Sequence, residues 1–379
     1  MENDNNRRKF IKNVGIGAAA IGTAGLAGVL SSCKGQKQEE QVKKEEPKAK
    51  AIEWKMVTTW PPHSPMLGES ADKLAEWVDQ MSAGRLKIQV YGAGELVPPL
   101  GVFDAVSQGT VEMGHGASYY WAGKSPASQF FAAVPFGFNA QSLNAWLYAG
   151  GGMELWTEEY AKFNVKPFIA GNTGVQMGGW FNKEINSMED FNGLKMRIPG
   201  LGGKVLAKAG GNSVLVAGGE IYTNLERGVI DATEWVGPFH DTLLGLHKAA
   251  KYYYYPGWHE LGTGLEAMVN LSAWNSLPDD LKAIVEAATY KSNMWMLSGV
   301  EAKNNAALRE LIDVHKVQLK QFPEDVLRGL KKLSLEVLEE IAASDPMSRK
   351  VYDSFLEFQK NIYEWNKISE EPYQKLKHL

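Results

Sequence analysis

The sequence predicts an α/β fold made of two similarly constructed lobes that face each other across a cleft. Three observations predict it. The chain has 379 residues, 44% of them apolar, enough for two lobes with real cores. Its first ordered stretch alternates strand, helix and strand, the pattern of a largely parallel sheet. A faint internal echo links residues 94–114, "GELVPPLGVFDAVSQGTVEMG", with residues 219–234, "GEIYTNLERGVIDATE". Each begins Gly-Glu-aliphatic, runs through a helix to a polar pair and a Gly, and resumes with a β-branched residue and an acid. The Gly after a polar last turn is helix C-cap chemistry.

"NRRKFIK" carries paired arginines, Arg7 and Arg8, before a Gly/Ala-rich apolar stretch from Val14 to Leu30 and then "LSSC" ending at Cys33. Twin arginines before such a stretch resemble a twin-arginine export signal. "LSSC" resembles a lipobox, with Ser32 where Gly or Ala is commoner. On this reading residues 1–33 are a leader and Cys33 becomes a lipid-bearing N-terminus; an uncleaved membrane anchor is the alternative. Residues 34–51 are charged, lack apolar periodicity and read as a solvated tether. Cys33 is the only cysteine, which excludes an internal disulfide and a cysteine-based metal site. The expected location is extracytoplasmic, on the periplasmic side, tied to a membrane face. Net charge is −4, and no basic block is interleaved with aromatics beyond the leader, so nucleic acid is not an expected partner. Twelve Trp and fourteen Tyr suit either an aromatic core or a body that encloses a small ligand.

The body follows in order. "IEWKMVTTW" from Ile52 alternates as a strand. Ser64 is an expected N-cap and Pro65 a first helical residue. Leu67, Leu74, Trp77, Val78 and Met81 keep helical spacing, and Gly84 closes the helix. "RLKIQVYG" puts Leu86, Ile88 and Val90 on one strand face. "VKPFIAGNTGVQMGGWFN" reads as two strands broken at Asn172-Thr173-Gly174. Ser187 caps a turn before the short strand "LKMRIP", and "KVLAKAG" is helical after "GLGG". A strand and then a long helix are expected around Pro278, placed at the first helical position. Val351, Phe355, Phe358, Ile362 and Trp365 form a heptad-like seam. That helix either lies on its own body or is exchanged with a partner subunit.

No HExxH, Walker loop or nucleophile elbow is present. His240 and His247 are seven apart, a weak metal pair without a third ligand. "PGLGGKVLAKAGG" fails the dinucleotide pattern, because Val205 holds the last Gly position. Three places carry more signal. Arg197 in "KMRIPG" points away from Met196 and Ile198, and a guanidinium among apolar neighbours needs a planar anion, either a ligand carboxylate or an acid of the protein. Gln176 lies in a Gly-rich strand that another surface can approach, or is a satisfied sheet amide. Glu234 precedes Trp235 in "ATEWVGP", and a buried carboxylate there requires a cation or donors. Together, Arg197 can hold a small acid while Glu234 and Gln176 offer oxygens to a hard cation that bridges to it, with Trp235 walling the site.

"FNGLKMRIPGLGGKVLAKAGG", "GVIDATEWVGPFHDTLLGLHKAAKYYYYPGWHE", "GASYYWAGKSPASQFFAAVPFGF" and "GVQMGGWF" resemble the extracytoplasmic solute-binding subunits of tripartite ATP-independent periplasmic (TRAP) transporters, of the DctP-like family. The resemblance spans residue 52 to the C-terminus and points to the branch that binds 2-oxo and hydroxy acids. It implies a two-lobe, periplasmic-binding-protein-like fold with a hinge, closure on the ligand and extra C-terminal helices. It implies that Arg197 pairs with the ligand carboxylate, and that Gln176, Glu234 and the Trp235 carbonyl ligate a sodium or calcium ion bound with the ligand. Tyr120 and Glu260 line the pocket, with Tyr119 beside them. No organic cofactor and no enzymatic step are implied; the partners are TRAP membrane permease subunits and, through a swapped C-terminal helix, a second copy. The expected segmentation is lobe I from 52–165 plus 235–262, lobe II from 166–234 plus 263–335, and C-terminal helices from 336–379. An exported oxidoreductase, suggested by the leader alone, and a receptor serving a sensor are the alternatives.

Overall fold

A computed structural model describes residues 50–377, so the leader, Cys33 and most of the tether lie outside the described residues. Eleven strands are described, running from β1 to β11 in chain order. They are β1 (Ile52–Thr58), β2 (Leu86–Tyr91), β3 (Met113–Gly116), β4 (Val165–Asn172), β5 (Gly179–Phe181), β6 (Lys195–Arg197), β7 (Asn212–Val214), β8 (Ala232–Thr233), β9 (Tyr252–Tyr255), β10 (Gly264–Asn270) and β11 (Gln318–Gln321). They form two sheets, β2-β1-β3-β10-β4 and β11-β9-β5-β8-β6-β7. In the first, β1 runs parallel to β2 and β3, while β10 is antiparallel to both β3 and β4. In the second, β6 is parallel to β7 and β8, and β5 is antiparallel to β8 and β9. Both sheets are therefore mixed: the first is parallel along its β2-β1-β3 flank, and the second is parallel at both ends, where β11 pairs with β9 and β6 with β7 and β8.

The internal echo is structural. The helix Val102–Ser107 ends before Gly109 at φ 71 and leads to β3; the helix Ile221–Glu226 ends before Gly228 at φ 69 and leads to β8. Both glycines occupy the left-handed region that closes a helix without steric cost. Each unit delivers its strand parallel to an earlier one, once per lobe.

The lobe boundaries differ from the expected ones. β4 and β10 fall in the first sheet and β9 in the second, against placing 166–172 and 264–270 in lobe II and 235–262 in lobe I; β11 falls in the second sheet as expected. The chain does not cross near residue 235. It stays in the second lobe because Trp180 of β5 stacks on Tyr253 of β9, with ring centroids 4.0 Å apart, and Asp241 ties both. Crossing occurs at residues 173–178 and again at 256–263, and the helix Asp279–Asp313 makes the third link.

Two helix starts also shift. The first helix begins at Leu67, not Pro65, because Met66 sits at φ 61. Met66 is therefore the N-cap in place of Ser64, whose Oγ nevertheless accepts from the Gly68 N–H at 3.0 Å. The helix after "KMRIP" begins at Gly200, so it includes the glycines expected to precede it. Most aromatics are core: Phe131 stacks between Trp146 and Trp156 at 5.7 and 5.0 Å. The C-terminal helix Pro346–Asn366 buries Val351 and Phe355 on its own lobe, where Phe138 meets Phe355 at 4.2 Å. Beyond Tyr363, whose hydroxyl donates to the Gly137 carbonyl at 2.7 Å, apolar residues turn outward. Trp365 is 57% exposed and Ile368 73%.

Candidate functional site

The two short crossings run side by side and hold each other. The Thr173 N–H donates to the Thr263 carbonyl and the Gln176 N–H to the Glu260 carbonyl, both at 3.1 Å. Gly257 makes this approach possible, since a Cβ there would lie 2.2 Å from the Gln176 carbonyl oxygen. Polar side chains thus gather at the junction of the lobes. Gln176 Nε2 donates to Glu260 Oε2 at 2.7 Å, to Thr263 Oγ1 at 3.1 Å and to Thr173 Oγ1 at 3.2 Å. Thr263 Oγ1 also donates to Glu260 Oε2. Gln176 Oε1 is buried without a partner.

β6 and β8 bring in the second group. The Glu234 N–H donates to the Arg197 carbonyl at 3.2 Å, which sets the two side chains together. Arg197 and Glu234 are both 1% exposed and form an ion pair through Nη1 and Oε1. Arg197 Nη1 also donates to the Glu234 carbonyl at 3.3 Å, Nη2 to the Tyr120 hydroxyl at 3.3 Å, and Nε to the Val216 carbonyl at 3.4 Å. Its guanidinium lies 5.3 Å from the Trp235 ring centroid. Burial pulls the Arg197 pKa down, but the Glu234 carboxylate together with the Tyr120 and Tyr119 hydroxyls outweighs this and the net shift is upward. Of the two partners expected for this guanidinium, a ligand carboxylate or an acid of the protein, the acid is the one met here. In this structure they touch, and the internal ion pair is the arrangement seen.

Glu260 is likewise more than a pocket wall. Burial, then the charge of Glu234, pushes its carboxyl up to about 7. Two carboxylates share this buried space with one guanidinium, so one negative charge is left for a proton or a cation to neutralise. His259, absent from the expected set, completes the cluster. Its Nε2 lies 3.6 Å from Glu234 Oε2, and both ring nitrogens and Glu234 Oε2 are buried without hydrogen-bond partners. Among the described residues, Glu234, His259 and Glu260 are the acid and histidine side chains grouped closely enough to share an ion. His240 and His247 do not belong to that group; His240 is buried, which pushes it down to about 4, and the His247 ring faces His315 at 4.1 Å.

The walls are aromatic. Trp60 meets Tyr120 and Trp235, each with ring centroids 6.3 Å apart, and Trp60 Nε1 donates to His115 Nδ1 at 2.8 Å. Tyr119 packs edge-on against Tyr120 at 4.8 Å. Burial pushes both phenols up, Tyr119 well above the usual range, so each hydroxyl stays a neutral donor. Gly200, at φ 58, lets the helix start press on the Tyr119 ring. A cavity of about 330 Å³ opens between Tyr119 and Tyr120 on one lobe and Ile198, Pro199 and Lys204 on the other. Asp241 braces the Trp235 turn: it accepts from the Val236 N–H at 3.1 Å, Trp180 Nε1 at 2.9 Å and the Tyr253 hydroxyl at 2.7 Å.

The structure thus gathers the site residues expected from sequence: Arg197, Gln176, Glu234, Trp235 and Glu260 in one buried region, with Tyr120 on Arg197 and Tyr119 beside it. His259, Thr173 and Thr263 were missed. His259 was signalled only by its place before Glu260 in "PGWHE", and Thr173 lay in a segment read as a strand break.

The profile of DctP, "Bacterial extracellular solute-binding protein, family 7", matches residues 56–345. A monocarboxylate 2-oxoacid-binding periplasmic protein of Nostoc sp. PCC 7120 is 48% identical over 325 residues, covering 85% of this chain and 88% of the relative. The crystal structure of a TRAP periplasmic solute-binding protein from Pseudoalteromonas atlantica T6c, with bound sodium and pyruvate, is 43% identical with a TM-score of 0.84. It spans 86% of this chain and 99% of its own. A TRAP solute-binding protein from Bordetella bronchiseptica RB50, a dimer with copurified calcium and picolinate in one site and the other site apo, is 40% identical with a TM-score of 0.85, covering 86% and 97%.

Proposed function

This chain belongs to family 7 of the bacterial extracellular solute-binding proteins, the DctP family, and from that premise we propose that it captures a small 2-oxo or 2-hydroxy monocarboxylate together with a sodium or calcium ion for a TRAP permease. One observation carries the reading. At the junction of two lobes, a buried guanidinium, two carboxylates and an unpartnered amide oxygen stand within one aromatic enclosure.

The residues fit an ion. The unpartnered Gln176 Oε1 and the excess negative charge are both met by a hard cation, which takes oxygen ligands. Gln176 through Oε1, Glu234 through Oε2 and the Trp235 carbonyl would hold it. Glu234 Oε1 is taken by Arg197, but its Oε2 is buried without a partner, and Glu260 stands beside it on Gln176. The ion supplies positive charge to the ligand's carboxylate and neighbouring oxygen.

Arg197 supplies the planar fork for the carboxylate. Tyr120 orients that fork through Nη2 and adds a neutral donor, and Tyr119, Trp60 and Trp235 exclude water and bound the ligand's size. Pyruvate and picolinate, held by the similar proteins, both place a lone-pair atom beside a carboxylate, the arrangement that chelates an ion. Closure of the lobes about the crossings at 173–178 and 256–263 then desolvates the pair. No covalent step is part of this reading.

The proposal extends to location and assembly. A twin-arginine leader and a lipid on Cys33 place the mature protein at a membrane face outside the cytoplasm. The outward apolar end of the C-terminal helices, with Trp365, Ile368, Tyr373 and Leu376 each more than half exposed, is read as the contact with a second copy.

A thermal-shift screen tests the reading. Small carboxylates are added with sodium, calcium or chelator to the folded protein. Pyruvate or a close 2-oxo acid should raise the melting temperature in the presence of ion, by mass action. No shift from any 2-oxo or 2-hydroxy monocarboxylate under any ion condition would refute it.

A further inference from the structure

The peptide unit that carries the Trp235 carbonyl also carries the Val236 N–H. Its bond is trans, so the two groups lie in one plane and point in opposite directions. Whatever holds the Val236 N–H therefore sets where the Trp235 oxygen points. The holder is Asp241, whose Oδ1 accepts from that N–H at 3.1 Å.

The carbonyls on either side are occupied. That of Glu234 accepts from Thr233 Oγ1 at 2.9 Å and from Arg197 Nη1 at 3.3 Å. That of Val236 accepts from the Met177 N–H at 3.1 Å, one residue past Gln176. Among the described residues, no donor is found for the Trp235 carbonyl between them. Asp241 is itself firmly held. It is 1% exposed in the helix Pro238–Leu243, and its Oδ2 accepts from Trp180 Nε1 at 2.9 Å and the Tyr253 hydroxyl at 2.7 Å. One carboxylate oxygen is thus fixed to the second sheet, and the other is left for a single backbone N–H.

Resting on the functional reading above, we propose that Asp241 is a positioning residue for the ion: it turns the Trp235–Val236 peptide so that the Trp235 oxygen faces the ion alongside Gln176 and Glu234. A carboxylate suits this task in a second way. It polarises the N–H it accepts, which leaves more negative charge on the oxygen at the other end of the peptide. The Trp235 ring is fixed by separate contacts. Gly218 makes room for it, since a Cβ there would lie 2.4 Å from the ring, and Trp60 meets it edge-on at 6.3 Å. The aim of the carbonyl and the wall of the site therefore have different supports.

The sequence offers a selective test. Only Trp77 and Trp235 are followed by valine. Labelling the tryptophan carbonyl with carbon-13 and the valine nitrogen with nitrogen-15 leaves the Trp235–Val236 and Trp77–Val78 signals in a carbonyl-correlated NMR spectrum. The second lies in the helix Leu67–Met81 and serves as the internal reference. Calcium is titrated into the chelator-stripped full chain with pyruvate present. The Trp235 carbonyl and the Val236 amide proton should both move, the proton downfield, because charge drawn from the oxygen tightens the N–H bond to Asp241. Asp241→Leu should weaken calcium binding at least roughly tenfold, the scale on which a partner behind a metal ligand acts. Tyr253→Phe removes a bond from the same carboxylate on its other side; it should lower stability but change calcium affinity less than about twofold, since Oδ1 keeps Val236. Equal calcium losses in the two variants would make Asp241 a brace of the fold alone, and wild-type calcium affinity in Asp241→Leu would remove it from the site; either overturns the proposal. Should Asp241→Leu not fold, the wild-type spectrum decides: a still carbonyl, or a carbonyl that moves without the amide proton, while pyruvate binding depends on calcium, overturns the proposal and leaves the functional reading standing. Pyruvate binding that is absent, or indifferent to calcium and sodium, removes the functional reading and this proposal with it.

Discussion

Gln176 and Glu260 stand 84 positions apart, yet the amide of one donates to the carboxylate of the other at 2.7 Å where the chain crosses twice between its lobes. The lobe junction and the oxygens proposed to meet the ion therefore belong to the same piece of structure. Anything that draws these oxygens onto a shared ion also fixes the crossings relative to each other.

Gly257 guards that junction. A methyl group at Gly257 would meet the Gln176 main chain at 2.2–2.6 Å, where only backbone displacement gives relief. Gly257→Ala should cost about 2–3 kcal/mol of stability by overpacking. It should also reduce ligand affinity, because the Gln176–Glu260 pair is displaced. Thermal denaturation alongside a pyruvate titration checks both, and a variant normal in each would show that the crossings need not be this close.

Arg197 is the one guanidinium in the buried cluster. Arg197→Ala should abolish carboxylate binding and destabilise the fold by roughly 3–5 kcal/mol, because Glu234 is left buried and unpaired. Arg197→Lys should recover stability better than binding, since an ammonium can neutralise Glu234 but cannot present a planar fork. Denaturant unfolding and calorimetry separate the two effects. Full binding by the Lys variant would remove Arg197 from the carboxylate site.

The polar residues of the site were legible because each broke an apolar pattern: Arg197 between Met196 and Ile198, Glu234 against Trp235, Gln176 among glycines. Their pairing was not. Which acid meets Arg197 is decided by the hydrogen bond from the Glu234 N–H to the Arg197 carbonyl across β6 and β8, a register that local sequence does not encode. His259 was invisible for a related reason, since a histidine without partners looks like any other until its neighbours are placed. The first lobe read correctly up to β3. The segmentation failed at β4, β9 and β10, because β10 inserts antiparallel between β3 and β4, far from it in sequence, and no periodicity marks that insertion.

Glu266 gives a pH signature away from the site. It is buried in β10, accepts from Trp121 Nε1, and is pushed up to about 8 by burial. The folded protein therefore keeps a proton there that an unfolded chain releases near the ordinary value of 4.5. Its stabilising contribution is complete below that lower value and is lost as pH rises through the folded one, on the order of a few kcal/mol. Wild-type melting temperature should fall as pH is raised from about 5 to about 9, and Glu266→Gln should flatten that fall. Parallel curves for the two proteins would assign the pH dependence elsewhere.

The exposed end of the C-terminal helices predicts an assembly. Removing residues 365–379 takes away Trp365, Ile368, Tyr373 and Leu376 but leaves Val351 and Phe355 in their core. Light scattering should show a dimer for the full mature chain and a monomer for the shortened one. The same mass for both would leave this apolar end without a second copy to explain it.

The central claim is joint capture of an anion and a cation at one buried cluster, and titration calorimetry of pyruvate into chelator-stripped protein tests it most directly. The account predicts weak or no binding after stripping, recovery when calcium or sodium is restored, and no recovery in Glu234→Gln. Pyruvate affinity that is the same with and without ions, or that survives Glu234→Gln unchanged, would contradict it.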